Sequence, residues 1–326
     1  MELSGETWLM LGRTIGAGLA LGLGGIGAAV GMGMAAGQAN EGMMRQPAQQ
    51  SALLRTMLLG QAVGSSPSIF ALVIGLLILF VPINLEPAGG NVFAALVGAG
   101  LAIGLGGLGG GAGCGFPAGA ACDGGARNPR RLSKVMQGMF AGQAVTQSPC
   151  IFATVVAFVL LFFKCEPGTD LAAMGLCLGA GLAVGASAFG PGVGSGQAAG
   201  GAVQGMGRWP ASHTSTFRMM LIGQGTCQTP AIFGALVAFL MLFVLDEVQN
   251  DIVGFAKVFG AGIAVGFGGL GPGIGSGMAG SSACLAAAAR PDKGGLIMRT
   301  MLTGQAVSQS TAIYALIIGL LLVYLF

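Results

Sequence analysis

Long apolar stretches alternate with short polar interruptions along this chain, and the alternation is periodic. Eight apolar runs each exceed the roughly 20 residues that cross a hydrocarbon core of about 30 Å at about 1.5 Å per residue. They predict helices near 8–40, 53–84, 92–122, 134–164, 171–206, 216–245, 252–288 and 296–325. Every odd-numbered run carries glycine at near-alternate positions, as in Gly98, Gly100, Gly104 and Gly106, or Gly260, Gly262, Gly266 and Gly268. Alternation of that kind would suit a strand, but a long apolar run with few β-branched residues predicts a helix. The even-numbered runs are instead rich in Leu, Ile and Phe.

The polar interruptions repeat as well. An Arg with a Pro close behind it recurs at Arg45, Arg127, Arg208 and Arg290, at spacings of 82, 81 and 82. A Gly-Gln pair follows each time: Gly60-Gln61, Gly142-Gln143, Gly223-Gln224 and Gly304-Gln305. An aromatic comes next, at Phe70, Phe152, Phe233 and Tyr314. Such a period means one supersecondary unit repeated through the chain. The units predicted are four helical hairpins, at 1–86, 87–168, 169–249 and 250–326. A helix with glycine on nearly every face is thin and packs closely on both sides. The first helix of each hairpin is therefore expected on a crowded inner wall, with the bulkier second helix outside.

Composition agrees. Only 8% of residues are charged, against about a quarter in soluble domains, so the bilayer is the expected solvent. Gly reaches 63 residues but Pro only 13, and without a three-residue period this is not collagen. The seven cysteines (Cys114, Cys122, Cys150, Cys165, Cys177, Cys227, Cys284) form no CxxC pair. Buried thiols acting as small hydrophobes are expected, not a metal or redox site. Glu2 and Glu6 stand where a leader would be basic, so no cleavable leader is expected. Of the 14 Lys and Arg, 11 lie in or beside the Arg–Pro loops; Arg13, Lys164 and Lys257 lie toward the other side. The positive-inside rule then predicts cytoplasmic Arg–Pro loops and both termini outside.

The stretch from Gly16 to Gly27, with Gly31-Met-Gly33 and Arg45-Gln-Pro47, resembles the first helix and loop of rotary ATPase c subunits, the proteolipid family. Arg55-Thr-Met-Leu-Leu-Gly-Gln-Ala-Val63 and Ala312-Ile-Tyr-Ala-Leu-Ile-Ile318 resemble the second helix. The likeness covers all four units. It implies an all-α membrane protein whose eight transmembrane helices, as four tandem hairpins, form part or all of a ring. It implies a non-catalytic subunit of a rotary F- or V-type ATPase or ATP synthase, associated with proton or sodium translocation. The implied partners are further copies or other c-type proteolipids in the ring, stator and central-stalk subunits, and membrane lipid. Nothing points to nucleic acid. Arg45, Arg127, Arg208 and Arg290 would face the stalk, or simply anchor helix ends.

The family's working group is a carboxylate midway along the second helix, because an ionisable group can alternate between a lipid-compatible neutral form and an exchanging charged form. The resemblance places that position at Ser65, Gln147, Gln228 and Gln309, none of them acidic. All eleven acidic residues fall at termini, loops or helix ends. His213, just after the third Arg–Pro loop, cannot substitute. The surroundings still look like an ion pocket. Gln61, Gln143, Gln224 and Gln305 precede the position, and Ser66, Ser148, Thr229 and Ser310 follow it. Pro67, Pro149 and Pro230 free the carbonyls of Val63, Val145 and Thr226. Met32, Cys114, Ser195 and Ser276 face them from the first helices.

Two readings of the site stand. Neutral oxygens could hold sodium weakly, but a cation taken into lipid without a counter-charge is costly. In the favoured one, Gln permanently imitates a protonated Glu, and neither metal nor cofactor is bound. Buried Gln, Ser and Thr also join membrane helices in their own right. The sequence thus speaks for a rotor-ring subunit and against direct translocation by its own hairpins. The alternative is a non-translocating scaffold ring derived from c subunits. A pore or channel is less favoured, because the first helices lack a polar stripe.

Overall fold

The structure, a computed structural model, describes residues 4–80, 89–163, 168–244 and 248–325. The sequence-predicted helix ends at 84, 164 and 245, and Glu86, Glu166 and Cys165, lie outside these residues. Described residues outside the turns are helical almost throughout. The four first helices are α1 (Gly5–Arg45), α4 (Gly90–Arg127), α7 (Leu171–Arg208) and α10 (Ile252–Ala289). Three of the second helices are each split in two: α2 (Gln50–Gly64) with α3 (Ser66–Phe80), α5 (Leu132–Thr146) with α6 (Ser148–Phe162), and α8 (His213–Cys227) with α9 (Thr229–Phe239). A π-helical turn, Leu240–Val244, continues the third. The fourth, α11 (Gly294–Tyr324), is unbroken.

The split has a local cause. Pro67, Pro149 and Pro230 have no N–H to return to the residue four back, and their rings clash with its carbonyl. The helix therefore turns at Ser65, Gln147 and Gln228 and restarts with the proline in its first turn. Thr311 stands where those prolines stand, so α11 runs through.

The Arg–Pro loops are equally determined. The residue before a proline is driven out of the helical region. Gln46, Asn128, Trp209 and Arg290 accordingly share φ between −126° and −136° and ψ between 73° and 79°. Each ends a first helix, and a single 3₁₀ turn beginning at the proline starts the second. One expectation changes here. Arg290 occupies the place of Gln46, Asn128 and Trp209, one step beyond Arg45, Arg127 and Arg208.

First helices pack in chain order, α1 on α4, α4 on α7 and α7 on α10, and form one continuous wall. The second helices touch each other far less and lie on the other side of the first helices. The wall is concave: a groove of about 640 Å³ is lined from Met34 and Gln38 of α1 through Phe116 and Gln197 to Met278 of α10. Glycine makes it possible. A Cβ at Gly104, Gly185 or Gly266 would lie 2.5, 2.6 or 2.6 Å from the carbonyl oxygen of Leu19, Leu101 or Leu182 on the preceding first helix. Backbone meets backbone, which maximises dispersion contact where lipid offers no hydrophobic drive.

Polar ties close both ends of the wall. At one, Asp123, its side chain 7% exposed, accepts from Arg45 at 2.6 Å and Arg127 at 2.8 Å. At the other, Asp170 accepts from Asn91 at 3.2 Å and Asn250 at 2.8 Å and so ties hairpins 2, 3 and 4. His213 begins α8, where its Nε2 lies 3.2 Å from the Lys134 carbonyl. The six described cysteines are buried.

Candidate functional site at the hairpin junctions

The split in each second helix lies opposite the next hairpin, and one glutamine reaches across. Gln147 Nε2 donates to the Val63 carbonyl at 2.8 Å. Gln228 Nε2 donates to the Val145 carbonyl at 2.9 Å. Gln309 Nε2 donates to the Thr226 carbonyl. Each acceptor is a carbonyl that a proline four residues on has deprived of its helical partner. The bond thus joins a backbone defect in one hairpin to a side chain one repeat later.

One turn earlier lies a second, deeper rung. Gln143 Nε2 donates to Gly60 O at 2.8 Å and Cys114 O at 3.2 Å. Gln224 Nε2 donates to Gly142 O at 2.9 Å and Ser195 O at 3.1 Å, and Gln305 Nε2 to Gly223 O and Ser276 O at 3.0 Å each. Two carbonyls converging on one nitrogen fix the orientation of each amide, because the flipped form would set its oxygen against both. Gln61 makes only the bond within its own hairpin, to Met32 O at 3.0 Å. Met32, Cys114, Ser195 and Ser276 thus meet these glutamines through their backbone carbonyls.

The hydroxyls behave differently from a ligand set. Thr229 Oγ1 turns back to Thr226 O at 3.0 Å, and Ser310 Oγ to Val307 O at 2.8 Å. Ser65 Oγ donates to Ala62 O at 2.9 Å and reaches no neighbour. Ser66 and Ser148 begin α3 and α6 beside the prolines. Three hydroxyls do meet a junction glutamine: Thr226 Oγ1 donates to Gln305 Oε1 at 2.6 Å, Thr146 Oγ1 accepts from Gln224 Nε2 at 3.3 Å, and Ser276 Oγ accepts from Gln309 Nε2 at 3.4 Å. The Arg–Pro loop side chains also diverge: Arg45 and Arg127 share Asp123, Arg290 lies 3.5 Å from Asp292, and Arg208 is exposed.

What the site can do follows from its donors and acceptors. Among the described residues no carboxylate approaches these junctions, and no three His, Cys, Asp or Glu side chains gather to hold a metal. The oxygens of Gln143, Gln224 and Gln228 are buried without a donor. They are cation acceptors in principle, yet the freed carbonyls beside them are already occupied by amide N–H groups and no anion balances a bound charge. The donor set does not fit sodium. Sequence reasoning overlooked Asn91, Asn250 and the Asp123 pairs; the near-repeat spacing of Asn91, Asp170 and Asn250 was the available signal.

The family model for the C subunit of ATP synthase matches four times, at residues 15–78, 97–160, 178–241 and 259–322. Every match spans one hairpin and its junction residues. This chain belongs to the ATP synthase C-subunit family. Among individual relatives, the K subunit of the A-type ATP synthase of Methanocaldococcus jannaschii is 34% identical over 229 residues, 69% of this chain and 94% of that protein. The ATP synthase c subunit of Natranaerobius thermophilus is 49% identical over 78 residues, 24% of this chain and 90% of its own. The chloroplastic ATP synthase c subunit of Euglena gracilis is 47% identical over 76 residues, 23% of this chain and 94% of its own. The first of these aligns across several repeats, the others across a single hairpin. With eight helices among the described residues long and apolar enough to span a bilayer, this c-family chain is an integral membrane protein.

Proposed function

We propose that this c-family chain builds a rotor-type membrane ring whose own hairpins carry no ions. The single observation behind this reading is the amide that stands in the carboxylate position. At Gln147, Gln228 and Gln309 its N–H is held by the freed carbonyl of the preceding hairpin. A protonated carboxylic acid would make the same bond, then lose its proton and release the carbonyl. An amide cannot. Each junction is therefore fixed in the form that faces lipid, with no charge to offer a cationic stator residue. The ring serves as a scaffold or bearing. Its Arg–Pro loops lie in the cytoplasm, where Arg45, Arg127, Arg208 and Arg290 meet a stalk, and its termini lie on the outer side. Partners are other ring copies, stalk and stator subunits, and lipid.

Carbodiimide, which attacks protonated carboxyls in apolar surroundings, tests the reading. The native chain should not be modified within its second helices, and sodium should change nothing. The Gln147→Glu, Gln228→Glu and Gln309→Glu triple variant should be modified there. Modification of the native second helices refutes the proposal, as does proton or sodium conduction by liposomes holding only the native ring.

A further inference from the structure

Each junction glutamine directs its N–H groups at the preceding hairpin, so its oxygen needs a donor from elsewhere. The three junctions meet that need differently. Between hairpins 3 and 4, Gln305 Oε1 accepts from Thr226 Oγ1 at 2.6 Å. Thr226 is the repeat of Val63 and Val145, so at the other two junctions a methyl group takes the place of that hydroxyl. Gln143 Oε1 and Gln224 Oε1 are accordingly buried with no donor among the described residues.

Between hairpins 2 and 3 the need is doubled. Gln228 Oε1 is also buried without a donor, and Gln224 and Gln228 lie four residues apart, on one face of α8 and the turn that ends it. Gln224 is fully buried and Gln228 is 8% exposed. Neither amide can be turned round. Gln224 Nε2 serves Gly142 O and Ser195 O, and Gln228 Nε2 serves the proline-freed Val145 O. Two acceptors one turn apart thus stay fixed in the interior, where an unmet acceptor is costly. Ser195, fully buried on α7, holds the place of Ser276, whose Oγ lies 3.4 Å from Gln309 Nε2. Its hydroxyl is turned back to Pro191 O, four residues away in its own helix, at 2.7 Å. Rotation about one bond releases it.

We propose that one water molecule is built into the junction between hairpins 2 and 3, donating to Gln224 Oε1 and Gln228 Oε1 and accepting from Ser195 Oγ. Water brings two O–H donors for two oxygens. Donating to both spans about 4–5 Å at O–H···O lengths of about 2.7–2.8 Å, which side chains one helical turn apart can bracket. Three partners fall within the range that buried waters take. A sodium ion would bring no donor, and its charge would stand unbalanced, since the acidic residues lie at termini, loops or helix ends. A lipid chain would leave both oxygens unmet.

The site is not repeated at the other junctions. Between hairpins 1 and 2, only Gln143 Oε1 is in this state among the described residues, and Cys114, a weak donor, stands in the place of Ser195. That falls short of the two to four partners a buried water takes. Between hairpins 3 and 4, Thr226 already supplies the donor. Three junctions with the same glutamine bonds thus differ in hydration. The water rests on the amide directions behind the function proposed above and not on ion transport. Conduction of ions by the ring would overturn that function and leave the readout below unchanged.

Water-edited solid-state NMR of the full chain in liposomes tests the proposal. Glutamine is carbon-labelled, and the Cδ signals are assigned from the Gln224→Leu, Gln228→Leu and Gln305→Leu variants. Magnetisation from water should reach Gln224 and Gln228 Cδ several-fold faster than Gln305 Cδ, whose oxygen already has its hydroxyl. Rates at Gln224 and Gln228 no higher than at Gln305 overturn the proposal. Val145→Thr, which installs the hydroxyl that Thr226 supplies one repeat later, should bring Gln224 down to the Gln305 rate. Ser195→Ala should slow transfer to Gln228 several-fold. Native rates in both variants overturn the placement of the water; if either variant fails to fold, the three rates in the native chain decide. Exchange of sodium chloride for choline chloride should change none of them. A sodium-dependent rate identifies a cation as the occupant and ends the proposal.

Discussion

Replacing Gln147 by leucine should destabilise the junction between hairpins 1 and 2 more than the same change at Gln143, although Gln143 is more deeply buried. Gln143 is fully buried and donates twice, to Gly60 O and Cys114 O. Both carbonyls lie inside continuous helices and keep their backbone partners. Side-chain bonds between membrane helices average about 0.6 kcal/mol. Leucine also removes the buried, donorless Oε1 of Gln143, which returns part of the about 1–3 kcal/mol that such an orphan costs. The net change at Gln143 should be within about 1 kcal/mol. At Gln147 the balance differs, because the Val63 carbonyl has Pro67 where its helical donor would be. Gln147→Leu strands that carbonyl and should cost about 1–3 kcal/mol. Pro67→Ala supplies an N–H and should return most of that loss in the Gln147→Leu background. Trp8 is a local reporter, since its ring packs on Phe93 across this junction at 5.6 Å. The assay is SDS or thermal unfolding followed by Trp8 fluorescence in a Trp209→Phe background. Equal costs at the two glutamines, or no relief from Pro67→Ala, would refute the assignment of the defect to the proline-freed carbonyl.

Other outcomes follow from the same geometry. Asp123→Asn should loosen hairpins 1 and 2 by about 1–3 kcal/mol, because two charge-assisted bonds lose their anion; high salt should narrow the gap between variant and native protein in the same Trp8 assay. Gly185→Leu should prevent the native packing of α4 on α7, where a Cβ would lie 2.6 Å from the Leu101 carbonyl; protease sensitivity of the purified chain reads this. Gly22→Leu, by contrast, should leave the chain's own fold intact, since nothing lies within 4 Å of that position. A membrane-permeant maleimide should leave the six buried cysteines unmodified until detergent unfolds the protein.

Much of this architecture is legible in the sequence. Helices and repeats follow from an apolar period that nothing soluble imitates, and the Pro–Gln spacing marks which carbonyls lose their partners. The destination of those carbonyls is not legible. A freed carbonyl and a polar side chain two residues later look like one local site, and only packing shows that the donor comes from a position 83 or 84 residues further on. For the same reason Ser66, Ser148, Thr229 and Ser310 read as ligands. A hydroxyl in a helix has a backbone acceptor within three or four residues, and Thr229 and Ser310 take that nearer partner. Asp123 reads as a helix-end acid because sequence does not show that Arg45 of the previous hairpin comes within 2.6 Å of it.

The glycine seam also separates form from chemistry. Where α4 rests on α1 and α7 on α4, the touching atoms are main-chain atoms common to every residue type, so spacing and curvature are set there. The glutamines that bridge neighbouring hairpins project from the other layer of helices. A residue can change from acid to amide in that layer without altering the radius of the wall behind it. The shape of the repeat and the chemistry of its junctions are therefore set by different atoms.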